Sequence, residues 1–585
     1  MKFNKLAQLF SKLEATTKRL EMIDLLSSFF SEIKENKDYD DLDKVIYLLQ
    51  GQLAPNIKKF PKMGLAEKMI IEALSVPSGI EPKKIKEILV KQGDIGATAE
   101  LILSKKKKQK SLFDYNKSNE SIEDSLEISD LYSELMKIAL TDGAGSQDIK
   151  LGVLRGLMRK CSPLEVKYLL RTITSTLRVG VQSPTIIEGL ALAFTGTKDN
   201  KDIIERSYTL HPDLGEISKI LAESGLEEVK KIDIEYGIPI LSMLASREEY
   251  TEFINRLGVP FIAEYKLDGE RLQIHKNGDR ISLFSRRLLD ISDQYPDVCQ
   301  KVRERINVNR VIFEGEVVAM DHVYEKMLPF QVLSKRRRKY DVEDISKEVP
   351  VCLFIFDLLK LEDESYVNKT LPQRRKKLEE IVEESDELRL VESIRINSTN
   401  ELLDFFNKAK KEGTEGIMAK SINEDSIYQA GNRGYKWLKL KSLEGGKLKD
   451  NIDVVLVGAF YGKGRRTGVY GTYIGAVYDP TIDSYIAFTR FFSGIGDELS
   501  DSLTKEMEEY KMEKKPNNVI CEDKPDVWLK PEVVMEITGD EITISDKFAT
   551  LGYSMRFPVY LRLRPDKSPK DITTVEEIKE LYEIQ

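Results

Sequence analysis

Up to about residue 233 apolar residues recur at helical spacing. Leu151, Leu154, Leu157 and Met158 share one face, and Ser-Pro-Leu-Glu at 162–165 offers a helix start with proline in the first turn. The pattern predicts an all-α region over 1–233 that opens on an amphipathic helix without a signal-peptide cleavage pattern. From about 234 short alternating segments take over. Asn277-Gly278, between 271–275 and 280–284, predicts a hairpin with a type I′ turn, and strands with helices between them are expected to 441. Beyond Lys441 the apolar runs 453–460 and 474–478 flank a glycine-rich stretch at 462–473, which predicts a small β-barrel over 442–585 with a helix around 575–581. No repeat of fixed period is visible, and no apolar run approaches the roughly 18 residues of a membrane span.

A chain of 585 residues is too long for one small fold, and 41% hydrophobic with 32% charged residues describes a globular protein with several cores. A cytoplasmic location is the expectation. Cys161, Cys299, Cys352 and Cys521 have neither disulfide-framework nor zinc spacing, and three histidines leave little room for imidazole catalysis. The chemistry must therefore use lysine, arginine and carboxylates. Net charge is −8, with acidic residues crowded into 120–134 and 379–387. Lys150, Arg155, Arg159, Lys160, Lys167, Arg171 and Arg178 form a basic stretch that fits either a nucleic-acid-binding face or an ordinary solvated helix surface.

The candidate chemistry begins at Glu-Tyr-Lys-Leu-Asp-Gly-Glu-Arg, 264–271. In an extended segment Ile262, Glu264, Lys266 and Asp268 share a face, which sets a lysine between two carboxylates. In the apolar strand 311–318, Glu314 and Glu316 also share a face, and buried acids there need a cation or a donor. Glu415 precedes another apolar run, and Trp-Leu-Lys-Leu-Lys at 437–441 puts Lys439 and Lys441 on one side. Carboxylates suit Mg²⁺ and a lysine pair suits phosphate oxygens, so the set is what a nucleotide site with a covalent lysine requires.

Taken in order, 264–271, 285–290, 313–316, 354–359, 415–420, 437–441 and 562–567 resemble the covalent nucleotidyltransferases, specifically the ATP-dependent DNA ligases of archaeal and eukaryotic replicative type. Matches at 143–146, 165–171 and 177–180 extend the resemblance to that family's DNA-binding domain, which capping enzymes and small RNA ligases lack. The resemblance implies an all-α DNA-binding domain over 1–233, an α+β adenylation domain over 234–441 and an OB-fold domain over 442–585. It implies ATP as AMP donor, Mg²⁺ (with Mn²⁺ as alternative), nicked duplex DNA as substrate, and a monomer whose domains encircle the duplex.

By the same resemblance Lys266 is the nucleophile, Glu316 and Glu415 are the metal carboxylates, and Lys439 and Lys441 hold the α-phosphate. Phe356 matches the aromatic that stacks under adenine, though plain core also fits it. Glu264 matches the acceptor for the adenine amino group, though an ion pair with Lys266 fits as well. Arg271 and Arg286 match residues that grip phosphate or the nick, and Arg564, Asp566 and Lys567 match a barrel segment that orients the pyrophosphate. Two departures are Val559, where relatives often carry a basic residue, and Arg287, where many have Asn. Gln109, Leu112, Phe113 and Tyr115 resemble a shortened sliding-clamp-binding peptide. The competing reading is an RNA ligase or capping-type nucleotidyltransferase, which shares the lysine motif and the barrel; an inactive DNA-binding scaffold would have no need of the polar cluster.

Overall fold

The computed structural model describes residues 1–58, 60–61, 63–106, 125–337, 342–441 and 450–584. Chain contacts divide it into two compact units: Met1–Leu65 with Asn119–Lys160 and Thr172–Leu443, and Ala66–Ser118 with Cys161–Arg171 and Glu444–Gln585. Among the described residues the first strand begins at Leu244, so the N-terminal part is helical as its periodicity predicts, and no helix is long and apolar enough to cross a membrane.

In the first unit, helices Arg19–Asn36 and Ser183–Thr195 pack side by side. Gly189 permits their approach, because a Cβ there would lie 2.9 Å from Leu26 Cβ. Helix Ser146–Lys160 buries Leu151, Leu154, Leu157 and Met158, the stripe read from the sequence. The basic stretch beside it does not form one face. Lys150 is buried and donates to the Met63 carbonyl at 2.9 Å, and in the second unit Arg171 is buried against Asp94 while Lys167 pairs with Glu100. Surface charge does not describe Lys150 and Arg171, because a cation within a helix can be buried where a carbonyl or carboxylate awaits it, whereas Arg159 and Lys160 are exposed.

The central strands are β1 (Leu244–Arg247), β2 (Phe261–Lys266), β3 (Glu270–Asn277), β4 (Arg280–Ser285), β5 (Arg310–Ala319) and β6 (Val351–Leu361). They continue with β7 (Glu364–Ser365), β8 (Leu388–Leu390), β9 (Ser393–Ile396), β10 (Gly416–Lys420) and β11 (Arg433–Leu440). One sheet has the order β1-β11-β10-β2-β9; the other has β4-β3-β5-β6-β7, with β8 beside β6. The β3–β4 hairpin forms, but its turn is one residue later than predicted. Asn277 pairs with Arg280, leaving Gly278 and Asp279 as the loop, and of these only Gly278 has positive φ (60°). Glycine at the first loop position is the type II′ requirement rather than type I′.

In the first sheet Ala263, Tyr265, Ile417, Ala419, Leu438 and Leu440 alternate onto a core shared with Phe405 and Phe406 of helix Thr399–Lys411. In the second, Leu272, Ile274, Val311, Phe313 and Val317 form a separate core. Each sheet therefore has one apolar face committed to packing and an opposite face free to carry polar side chains.

In the second unit, helix Pro163–Ile173 starts at a capping box: the Ser162 N–H donates to Glu165 Oε2 at 2.7 Å and the Glu165 N–H to Ser162 Oγ at 3.4 Å. Its C-terminal part is the β-rich domain expected. Strand Ile452–Tyr461 is buried on both faces over most of its length, pairs with Tyr470–Asp479 on one edge, and on the other with Val534–Thr538 and then Val527–Leu529. A strand that changes partner midway curls the sheet, here around Ile452, Val454 and Leu456. Helix Val575–Ile584 follows, as predicted.

Candidate active site

A cavity of about 690 Å³ lies between the polar faces of the two central sheets. Strand register explains what lines it. Opposite Lys266 and Glu264 on β2 stand Gly416 and Met418 on β10, and opposite Met418 and Lys420 stand Lys439 and Trp437 on β11. From the other sheet Arg271 on β3 is paired with Glu316 on β5. Two glycines let these strands close up. A Cβ on Gly269 would lie 2.2 Å from the Val317 carbonyl oxygen and 2.8 Å from Glu316 Cγ, and one on Gly416 (φ 146°) would lie 2.0 Å from the Leu440 carbonyl oxygen.

The structure brings Lys266, Glu264, Arg271, Arg286, Glu316, Phe356, Glu415, Lys439 and Lys441 to this one cavity. Lys266 Nζ pairs with Glu415, which also pairs with Lys441 Nζ at 3.4 Å. The Glu415 N–H also donates to the Lys266 carbonyl at 2.8 Å, which locks the two segments together. Burial would raise the Glu415 carboxyl, but Lys266 and Lys441 outweigh it and hold it down at about 2. Glu316 is the opposite case. Burial pushes it up to about 7 despite the charges of Lys266 and Arg271, and among the described residues nothing bonds or ion-pairs its carboxylate. Lys439 is lowered, first by burial and then by the like charges of Lys266, Arg433, Lys441 and Arg286. Arg286 projects at the rim from a turn closed by the Leu288 N–H on the Ser285 carbonyl at 2.8 Å, with Leu288 at φ 62°.

Arg271 reaches the cavity wall with its donors committed: Nη2 to Glu314 at 2.7 Å, Nε to Glu314 at 3.3 Å and Nη1 to the Met243 carbonyl at 2.9 Å. The two glutamates of β5 thus part company. Glu314 is fully buried and satisfied by Arg271, Tyr428 and Ser242, so it is structural, while Glu316 faces the cavity. Phe356 lines the cavity beside Trp437, with ring centroids 6.3 Å apart, and is only partly buried, so plain core does not describe it. Glu264 does not pair with Lys266; its partners are Lys420 at 2.5 Å and Arg375 at 3.0 Å.

Arg564 and Lys567 belong to the second unit. There both bond Asp453, Arg564 at 3.0 Å and Lys567 at 2.6 Å, and Arg564 also holds Asp566, whose carboxyl it keeps down at about 2. Gln109, Leu112, Phe113 and Tyr115 lie outside the described residues. Sequence reasoning missed Lys420, Arg375, Trp437 and Tyr428. A lysine closing the apolar run 415–420 was a signal of the same kind as Glu415; Arg375, in the charged helix Leu371–Ile381, gave none.

Comparison with known proteins matches the chain along nearly its whole length. The family model for the ATP dependent DNA ligase domain matches residues 242–441, that for the DNA ligase N terminus matches 2–191, and that for the ATP dependent DNA ligase C terminal region matches 466–567. The DNA ligases of Sulfurisphaera tokodaii and Hyperthermus butylicus are each 42% identical to it, over 100% of this chain and 98% of theirs. The solved structure named Pmar-Lig_PreS3 has a TM-score of 0.55 at 18% identity, covering 96% of this chain and 99% of that one, a likeness of fold.

Proposed function

Because the chain belongs to the ATP-dependent DNA ligase family and seals DNA nicks at the expense of ATP, we propose that Lys266 is the residue it charges with AMP. Its Nζ attacks the α-phosphorus, a P–N bond forms and pyrophosphate leaves. The AMP then passes to the 5′-phosphate of the nick as the P–N bond breaks, and the 3′-hydroxyl displaces it to seal the strand. The observation that carries this reading is the convergence on one cavity of a lysine, two unlike carboxylates and a further two lysines.

Each residue has work suited to its surroundings. Glu415, anionic and bonded to Lys266, can take or relay the proton that the ammonium must lose before it attacks. Lys439 and Lys441 stand where negative charge builds on the phosphoryl oxygens, and the clustering that lowers Lys439 is relieved when an anion arrives. A divalent cation fits the oxygen donors of Glu316 and Glu415, since Glu316 is a partly buried, cavity-facing carboxylate with no partner among the described residues. When bound, Mg²⁺ would offset charge on the phosphates. Phe356 and Glu264 are assigned to the adenine, Arg271 to holding the wall, Arg286 to the phosphate or the nick, and Arg564 and Lys567 to the pyrophosphate. The enzyme is proposed to act as a monomer, with Gln109, Leu112, Phe113 and Tyr115 as its sliding-clamp peptide.

The test is incubation with ATP labelled at the α-phosphate and Mg²⁺, followed by a chase with nicked DNA. Label on the wild type that moves to DNA and leaves a sealed strand, with none on Lys266→Ala, is the expected result. Label of equal extent on Lys266→Ala would overturn the assignment of the nucleophile.

A further inference from the structure

Within the cavity Lys420 is a residue without an evident share in phosphate chemistry. Its side chain is 2% exposed, and it sits at the end away from Lys441, one β10 position beyond Met418 on the same face. Its Nζ lies 2.5 Å from Glu264 Oε2, 3.4 Å from the Phe356 carbonyl oxygen, 4.4 Å from the Trp437 ring centroid and 4.8 Å from that of Phe356. Arg375 bonds the other oxygen, Glu264 Oε1, at 3.0 Å, and is itself fixed by Nη2 on the Val391 carbonyl at 2.8 Å. A buried carboxylate, 2% exposed, therefore has one cation on each oxygen, and one of those cations also packs on the two aromatic rings of the same wall.

The geometry points to Lys420 and Arg375 as positioning residues that set which nucleotide base the enzyme accepts. An ionised carboxylate has only lone pairs to offer, so it rewards a donor and repels an acceptor at the base edge it meets. Two cations, one on each oxygen, hold the Glu264 carboxylate in place and fix the direction of its remaining lone pairs. A purine with an exocyclic amino group at C6 is accepted; a purine with an oxo group there brings oxygen against oxygen. Lys420 would itself suit an oxo group, but its ammonium is spent on Glu264 and the rings, and this pairing turns a potential donor into part of an acceptor-only surface. This inference rests on the proposal that Glu264 meets the base.

The experiment compares self-labelling by ATP and by ITP, which share ribose and triphosphate and differ at C6, as the ratio of kcat/KM for the two donors. The ratio is independent of how much of a variant is folded. In Lys420→Met and Arg375→Met it should fall by about tenfold or more, with much of the change in KM for ATP, and Lys420→Arg should restore it. If both Met variants keep the wild-type ratio while Glu264→Gln lowers it, the positioning role is overturned and the reading of Glu264 stands. If Glu264→Gln also keeps the ratio, Glu264 does not meet the base and both fall.

Discussion

Two carboxylates that look alike in the sequence are held in opposite ways. Glu415 has lysines around it and is held down at about 2, whereas Glu316, partly buried and without a partner among the described residues, is pushed up to about 7. For Glu316 the folded value lies above the unfolded one near 4.5, so the folded chain keeps a proton that the unfolded chain has lost. Stability therefore declines as pH rises from about 4.5 to 7 and stays lower above that window. In metal-free protein, Glu316→Gln should melt higher than wild type at pH 8, by a difference worth roughly 3 kcal/mol, while the two should melt alike at pH 4. Mg²⁺ should narrow the gap at pH 8 if Glu316 is a metal ligand; a gap unchanged by metal would argue against that role. Glu415 has the reverse sign: its stabilising pairs are intact above about 4.5 and lost as pH falls toward 2. A different pair marks pure structure. Arg374 and Asp357 are fully buried and bonded at 2.6 and 3.0 Å, with Arg374 Nη1 also on the Lys369 and Ser426 carbonyls. Asp357→Ala should cost about 3–5 kcal/mol in denaturant melts by leaving a buried guanidinium uncompensated.

At the scale of the element, the alternation of 264–271 was legible because a strand has a strict period of two and one of its faces must be apolar. Glu264 with Lys266, and Lys439 with Lys441, could each be read as one face of a strand for that reason, and register sets Glu264, Met418 and Lys439 in one row; Glu415 lies just before β10, where alternation does not place it. The division between Glu314 and Glu316 could not be read. They share a face, and only the arrival of Arg271 and Tyr428 from distant segments makes Glu314 internal. The hairpin turn shows a similar limit, since Asn-Gly marks a turn but the pairing of Asn277 with Arg280 decides which residues form it. The glycines of the two lysine-bearing segments carry the sharpest consequence. Gly269→Ala places a methyl against the Val317 carbonyl, where backbone rather than a flexible side chain must yield, so β3 is pushed off β5 and Lys266 away from Glu316. A loss of at least about 100-fold in self-adenylation, with a smaller fall in melting temperature, is expected. Gly434→Ala, at a site where the nearest atom is the mobile end of Gln429, should be far milder, and equal losses in the two would refute the packing argument.

For the molecule as a whole, charge sets the terms of DNA binding. With a net charge of −8 there is no overall attraction to a polyanion, so affinity must come from local basic surface. The sequence suggests such a surface over 150–178, but burial removes Lys150 and Arg171 from it, for helix periodicity assigns a cation to a face without saying what that face meets. Arg159 and Lys160, exposed at the end of helix Ser146–Lys160, remain able to reach phosphates. If they do, replacing both with Gln should weaken binding to nicked duplexes of any sequence alike and reduce the slope of log K against log salt by roughly 2. Self-adenylation, which needs no DNA, should be unchanged. Lys150→Met offers the contrast: its ammonium holds the Met63 carbonyl, so the loss should appear in the melting temperature and leave the salt slope as it was. A salt slope that moves with Lys150 and not with Arg159 and Lys160 would place the DNA-binding charge elsewhere on the molecule.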